Sequence, residues 1–400
     1  MTHFERDASF SYGKYLIKKH FDKYLEETKA FWQKKINVSY NSADPDFDNW
    51  MHWVNFQPML RRIYGCSFLP HHDYGKGGRG WRDLWQDCLA LLIMEPEKVR
   101  GMLIDNFGGV RFDGTNATII GSKQGEFIAD RNNIVRVWMD HGAWPYLTTR
   151  LYMQQTGDIE FLTEENTYFK DAQICRGEKH DDRWNDTRGN KQMTEDALPY
   201  QGTVLEHLLI QHLTSFYDVG EHNHIRLRGA DWNDGLDMAE ERGESVAFTA
   251  LYAGNFKNLA EDIKDYSNKT GKDSVSIAKE LLILLEADSS TYDSIGEKNA
   301  LLEAYCDEVG HIISGEKTEV KCDWLADKLT EMSNWITEHI RNTEWTSDKE
   351  GKSWFNGYYD NSGKAVEGDF ETGIRMILTG QVFTVMSGVA TDEQVEEIVK

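Results

Sequence analysis

Helical periodicity closed by glycine recurs along this chain and constrains its fold more than any other feature. From about Val135 to Gln155 the apolar residues Val137, Trp138, Trp144, Leu147, Leu151 and Tyr152 recur at helical spacing, and Thr156-Gly157-Asp158 supplies a glycine stop. A similar unit runs from Gly202 to Tyr217 and closes at Val219-Gly220, and another runs from Val246 to about Ser267 and closes at Lys269-Thr270-Gly271. Further helices are expected near Ser274–Ala287, Asn299–Ile313 and Asp323–Arg341. Helix, glycine stop, polar loop and helix in succession predict stacked helical hairpins. Strand signals are few: Gly109–Gly121 and Trp354–Gly368 read as short hairpins turning at Asp-Gly and Asn-Ser-Gly.

Two polar clusters interrupt this pattern. The first, His71 to Ile93 (HHDYGKGGRGWRDLWQDCLALLI), sets histidines, glycines, arginines, tryptophans and aspartates directly ahead of an apolar helix. Its glycines satisfy GxGxxG between Gly75 and Gly80, but no hydrophobic strand precedes them and no Walker lysine follows, so a dinucleotide or P-loop reading fails on context. Their expected role is backbone that lets amides and side chains approach a ligand closely. The helix that follows pairs Arg82 with Gln86, Asp83 with Asp87 and Trp81 with Trp85 at i,i+4. Asp83 fits a ligand contact and fits equally well as compensation of the helix dipole.

The second cluster is Arg226 to Ala239 (RLRGADWNDGLDMA). Crowded carboxyls beside an indole favour a protonated aspartic acid, the form a general acid needs. A calcium loop starting at Asp231 would want glycine at 236 and glutamate at 242, where the chain has Leu236 and Arg242. A helix N-cap accounts for one aspartate and not for Trp232 between two of them. Neither His71, His72 and Asp73 nor His207 and His212 shows metal-ligand spacing, and no Ser-His-Asp or Cys-His arrangement stands out.

Composition narrows the partners. A net charge of −23 repels phosphate backbones and anionic membranes, so nucleic acid and membrane are not expected, and a bound anion needs a local group of cations and amides. The five cysteines show no CxxC spacing and read as reduced thiols; with no apolar run near the roughly eighteen residues of a membrane span, the expected location is cytoplasmic. Thirteen tryptophans and seventeen tyrosines suit stacking on pyranose faces, although core aromatics in a large helical domain account for most of them.

Taken together, the motifs resemble the glycoside phosphorylases of the cellobiose phosphorylase family. The resemblance rests on Gly78–Asp87 (GRGWRDLWQD), Asp231–Asp237 (DWNDGLD) and Gly380–Ala390 (GQVFTVMSGVA), in family order. It implies a mainly α fold, the (α/α)6 toroid of helical hairpins with short β-hairpins, incomplete at both ends. Residues 1–40 are then a helical linker-like segment and 41–400 a partial catalytic domain, with a helical insertion or solvated outer layer at about 257–342. The implied reaction is reversible inverting phosphorolysis of a β-linked gluco-oligosaccharide to α-glucose 1-phosphate, with wording near the first cluster closer to the branch acting on β-1,2-linked oligoglucans.

By the same resemblance Asp234 is the general acid, and Arg82, Asp83, Trp232, Arg79, Lys76 and Asp87 bind substrate, with Asp231 and Asp237 as neighbours. No metal or organic cofactor is implied; inorganic phosphate is the co-substrate, and a homodimer is a candidate assembly. Phosphate already is a nucleophilic anion and needs positioning rather than a second carboxylate. The family's N-terminal β-sandwich and its downstream phosphate-binding segment do not occur here, so a fragment of low activity is expected. Two other readings stay open. An inverting hydrolase would draw its base from Glu206, Asp130 or Asp140, and a non-catalytic carbohydrate-binding protein would tolerate loss of Asp234.

Overall fold

The computed structural model describes residues 20–64, 79–117, 119–120, 125–128, 137–185, 187 and 189–400. Helices dominate it: α1 Phe21–Lys35, α2 Pro45–Tyr64, α3 Trp81–Met94, α4 Val99–Phe107, α5 Ala143–Thr156, α6 Val204–Tyr217, α7 Val246–Thr270, α8 Ile295–Val309, α9 Cys322–Thr343, α10 Leu378–Met386 and α11 Asp392–Val399. Two of the expected glycine stops are realised. Gly157 (φ 75°) ends α5 and Gly271 (φ 73°) ends α7, each in the left-handed conformation with its amide on the carbonyl four residues back. At α6 the helix ends earlier, at Asp218, whose buried carboxylate is taken by arginines.

Side-chain caps fix several starts. Thr203, Ser245 and Ser294 accept N–H groups of the first turns of α6, α7 and α8, and Thr391 with Gln394 forms a capping box on α11.

The helices alternate in direction. Trp81, the first residue of α3, donates its indole N–H to the His141 carbonyl just ahead of α5 at 3.0 Å. Ser245, the cap of α7, donates to Asp231, and Val246 donates its amide to Gly357, which packs on Gly380 near the start of α10. The starts of α3, α5, α7 and α10 therefore gather at one end. The C-terminal ends of α4, α6 and α9 return there: Asn116, beyond α4, reaches His141; Asp218, after α6, pairs with Arg228; Glu344, after α9, pairs with His224. This is the hairpin arrangement expected from the glycine stops, built on a core that includes Trp85, Phe107, Leu208, Phe248, Leu329 and Ile336.

Several expectations change. Ser274–Ala287 is not one helix: Ser274–Ala278 is a strand paired antiparallel with Lys317–Lys321, followed by a 3-10 turn and a four-residue helix, Leu282–Leu285. Val275 and Ile277 alternate inward with period two, and their partner strand lies far along the sequence, so no local signal favoured the pairing. The expected Trp354–Gly368 hairpin keeps its turn, with a Tyr359–Ala365 bridge, but its strands pair elsewhere: Ser353–Phe355 with Trp345–Ser347 and Tyr358–Tyr359 with Glu244–Ser245. In the charge-rich stretch 257–342, Leu259, Ile263, Leu325, Leu329 and Ile336 are buried where α7 packs on α9, so its charges form the outer faces of core helices. No helix among the described residues is long and apolar enough to cross a membrane.

Candidate active site

The site forms where the helix starts gather. Residues 137–139, ahead of α5, lie along 228–230: Gly229 donates its amide to Val137 O at 2.6 Å and Met139 donates to Ala230 O at 3.0 Å. This local ladder holds Arg228 (φ 57°) and Ala230 (φ 152°) in backbone conformations that L-residues seldom adopt. Its anchor is Asp218, with Arg228 Nη2 2.7 Å from Oδ1 and Arg176 Nε 2.7 Å from Oδ2. Although burial works the other way, the charges of Arg228 and Arg176 hold the Asp218 carboxyl far below the usual range.

From this anchor the loop delivers Asp231, Trp232 and Asp234 to different environments. Asp231 is fully buried; its Oδ1 accepts the Asn233 amide at 2.8 Å and its Oδ2 accepts the Ser245 hydroxyl at 2.9 Å. Loss of hydration pushes the Asp231 carboxyl up to about 6 against those two hydrogen bonds, with the nearby Asp140 charge adding to the rise. Trp232 projects its indole with 54% of the residue exposed, and the Asp234 side chain is 77% exposed at the start of the 3-10 turn Asp234–Ala239. Within the cluster, the carboxyl that burial raises is Asp231. Burial discriminates between Asp231 and Asp234: one aspartate is sealed by Ser245 while the other stands in solvent.

Arg82 joins the two clusters. Its Nε and Nη2 reach Asp140 Oδ2 and Oδ1 at 2.6 and 3.2 Å, Nη2 also donates to the Asp231 carbonyl at 2.8 Å, and Nη1 lies 3.6 Å from Asp234 Oδ1. Trp144, in the first turn of α5, completes the setting by donating its indole N–H to Asp140 Oδ2 at 2.8 Å. His141 stacks under Trp138, and burial pushes its imidazole down to about 3, so it is neutral. His141 and Trp144 are site residues that sequence reasoning missed, and Asp140, considered there only as a base for hydrolysis, is instead the partner of Arg82. Their signal was present in Met139–Trp144 (MDHGAW), a polar and aromatic cluster ahead of a helix like the other two, but it was read as helix interior.

The other predicted positions are placed unevenly. Asp83 is half-buried beside Arg82; its Oδ2 lies 2.5 Å from where a Cβ on Gly80 would stand, so the carboxylate folds back over the first turn of α3. This favours helix-end compensation for Asp83, made possible by the absent glycine side chain. Asp87 is half-buried one turn further along α3. The backbone of Arg79 pairs with Ile120, while its side chain, Lys76, His71, His72 and Asp73 lie outside the described residues, as does the side chain of Asp237.

Of the bases considered for hydrolysis, Glu206 lies at the start of α6, roughly 18 Å along the helix from Asp218. Its carboxylate accepts from Tyr168, Tyr200 and the Ala278 amide, and burial pushes it up to about 7. Asp140 is held by Arg82, and Asp130 lies outside the described residues. Among the described residues no group of three His, Cys, Asp or Glu is placed to hold a metal ion.

Residues 182–326 match the catalytic-domain model of the glycosyl hydrolase 94 superfamily. The matched span contains the Asp231–Asp237 loop and its Asp218 anchor; Arg82 and Asp140 lie outside it. The chain is also similar to solabiose phosphorylase of Paenibacillus borealis, 22% identical over 351 residues, which covers 86% of this chain and 31% of that protein. A shorter similarity, 25% identity over 238 residues, links it to the cyclic beta-(1,2)-glucan synthase NdvB of Rhizobium meliloti (strain 1021), covering 58% of this chain and 8% of that protein. The chain thus spans less than a third of the length of either relative. The mainly helical architecture agrees with these matches.

Proposed function

We propose that this chain carries the acid and donor-sugar half of a glycoside phosphorylase site, for reversible inverting phosphorolysis of β-linked gluco-oligosaccharides to α-glucose 1-phosphate. The observation that carries the reading is the meeting of Arg82 with Asp234 at the open end of the hairpins, which brings together two clusters distant in sequence. The similarity to solabiose phosphorylase supports it.

Asp234, exposed and mounted on a braced loop, delivers the proton to the departing glycosidic oxygen. Exposed Trp232 offers an apolar face to a sugar ring. Phosphate attacks from the opposite face and leaves an α-configured sugar phosphate. The alternating helix directions support an (α/α)6 toroid of helical hairpins. The second relative is by name a synthase of a cyclic β-(1,2)-glucan, so β-1,2-linked gluco-oligosaccharides are the first substrates to assay.

The test incubates the protein with a β-gluco-oligosaccharide, with and without inorganic phosphate, and assays α-glucose 1-phosphate and free glucose. Phosphate-dependent formation of the sugar phosphate is the expected result; free sugar released at the same rate without phosphate would mark a hydrolase instead.

A further inference from the structure

Cys175 opens the turn between the paired strands Gln173–Ile174 and Lys179–His180, and it stands in the left-handed region (φ 52°), followed there by Arg176 (φ 53°) and Gly177 (φ 86°). Two L-residues in succession are thus held in a conformation they seldom adopt. Arg176 does the holding: its amide donates to Asp113 Oδ2 at 2.7 Å, its Nε to Asp218 Oδ2 at 2.7 Å and its Nη1 to the Thr214 hydroxyl at 3.1 Å. Asp218 in turn braces, through Arg228, the loop that carries Asp234.

The turned backbone aims the Cys175 side chain at the last turn of α8, where its Sγ lies 4.0 Å from Asp307 Oδ1 and in hydrogen-bonding contact with the Cys306 thiol. Both cysteines are free thiols and both are buried. The partly exposed Lys179 ammonium closes over this corner, 3.0 Å from Glu303 Oε1 and 2.7 Å from Asp307 Oδ1. The two sulfurs are not equivalent. The Cys306 S–H donor holds the Cys175 thiol below its ordinary range, helped by Lys179 and opposed by burial and by the charges of Asp113 and Asp307, while the same hydrogen bond and burial push the Cys306 thiol up. A nucleophilic sulfur and a resolving sulfur stand in contact.

We propose that Cys175 and Cys306 form an oxidation site, a thiol pair that hydrogen peroxide converts to a disulfide, and that closing the pair loosens the grip of Arg176 on Asp218. The pairing rests on geometry, and only its consequence for turnover rests on the phosphorylase reading.

In the first step the Cys175 thiolate attacks a peroxide oxygen; an S–O bond forms, the O–O bond breaks, and the departing hydroxide takes up the proton that Cys175 had released. In the second, the Cys306 sulfur attacks the Cys175 sulfur; the S–S bond forms, the S–O bond breaks, and the Cys306 proton leaves with the hydroxide as water. Two thiols and one peroxide give one disulfide and two waters, the sulfurs losing the two electrons that the peroxide oxygens gain. Burial selects the oxidant, since a molecule little larger than water reaches sulfurs that a bulky disulfide does not.

An S–S bond is about 2.0 Å long, well inside the contact distance of two thiols, so closure draws Cys175 and α8 together. On the α8 side, Tyr305 is buried beside Cys306 and donates its hydroxyl to Phe112 O at 2.7 Å, which pins the helix. The strained turn is the side that gives. Arg176, the next residue, shifts with it, and its bond to Asp218 lengthens.

The test treats the reduced native chain with a small excess of hydrogen peroxide, alkylates the remaining thiols and maps the peptides by mass spectrometry, while hydrogen exchange follows residues 226–239. The expected results are a linked Cys175–Cys306 peptide short of two hydrogens, its reversal by dithiothreitol, and faster exchange of that segment in the oxidised chain. In Cys306→Ala the reaction should stop at a Cys175 sulfenic acid, which dimedone captures; Cys306→Ser, closer in size, serves if the alanine variant does not fold. Oxidation that falls on Cys88 or Cys322 while Cys175 and Cys306 stay free, or a linked pair with unchanged exchange at 226–239, overturns the proposal. Neither readout depends on sugar phosphate formation, so failure of the phosphorylase reading and failure of this proposal are told apart.

Discussion

The Arg82 guanidinium grips the fully buried carboxylate of Asp140 with two N–H groups, Nε at 2.6 Å from Oδ2 and Nη2 at 3.2 Å from Oδ1. The pair joins the start of α3 to the segment that opens α5. Removing one partner leaves the other buried and unpaired, so Asp140→Ala should lower unfolding free energy by about 3–5 kcal/mol. Arg82→Lys should also destabilise, since an ammonium cannot reproduce the planar fork that reaches both oxygens. Urea unfolding of the three proteins measures both effects, and a midpoint for Asp140→Ala equal to that of wild type would show that the pair is not a structural joint.

Asp234→Asn should separate chemistry from folding. The side chain is largely exposed, and its one polar contact among the described residues is the loose pair with Arg82, so thermal unfolding should stay close to wild type. In a catalytically competent preparation turnover on ordinary glycosides should fall by about two to four orders of magnitude, with partial recovery on a substrate whose leaving group needs no proton. Near-normal turnover on ordinary glycosides would remove Asp234 from the acid role.

Asp231 makes stability depend on pH in a direction that can be worked out. Its folded value of about 6 lies above the ordinary aspartate range, so the folded state holds a proton that the unfolded state has released. Its contribution is therefore fully present below about pH 4 and is lost as pH rises through 6, a change of about 3 kcal/mol. Glu206 and Glu367, both raised by burial to about 7, slope in the same direction. In Asp231→Asn the part between pH 4 and 6 should disappear, because the amide carbonyl can still accept the Asn233 amide and the Ser245 hydroxyl can accept from the amide nitrogen. Unfolding curves collected across that range for wild type and variant check the difference; parallel curves would contradict the assignment to Asp231.

Ser245→Ala tests the link between a helix start and the loop. The hydroxyl accepts the Phe248 amide at 3.2 Å as the cap of α7 and donates to Asp231 Oδ2 at 2.9 Å. Loss of the cap alone costs about 1 kcal/mol, and the stranded Asp231 oxygen adds about 1–3 kcal/mol. A calorimetric loss confined to the cap value would mean that Asp231 finds another partner.

Much of the architecture was legible because it rests on local rules. Helical periodicity marked α5, α6, α7, α8 and α9, and Gly157 and Gly271 stop α5 and α7 because a residue without Cβ reaches the left-handed region without strain. The strand Ser274–Ala278 was read as helix because what makes it a strand is Lys317–Lys321, a partner that no local window contains. The density of aspartate, arginine and tryptophan ahead of helix starts marked the two clusters, and the family resemblance singled out Arg82 and Asp234 within them. The same kind of density in Met139–Trp144 was absorbed into a helix pattern, so Asp140 was considered only as a base for hydrolysis and its pairing with Arg82 was not seen.

By itself, the sequence determined which residues are available for chemistry and that they stand at the starts of paired helices, since composition and periodicity are properties of neighbouring residues. Only the tertiary structure decided what each of them is. Burial behind the cap of α7 raises the Asp231 carboxyl against the Ser245 hydrogen bond, while a braced loop leaves Asp234 in solvent. Gly80 lets Asp83 fold back over its own helix, and the convergence of α3 with the segment before α5 sets Arg82 between Asp140 and Asp234. Hydration and the distance between charges depend on which segments meet in space, and those meetings are long-range.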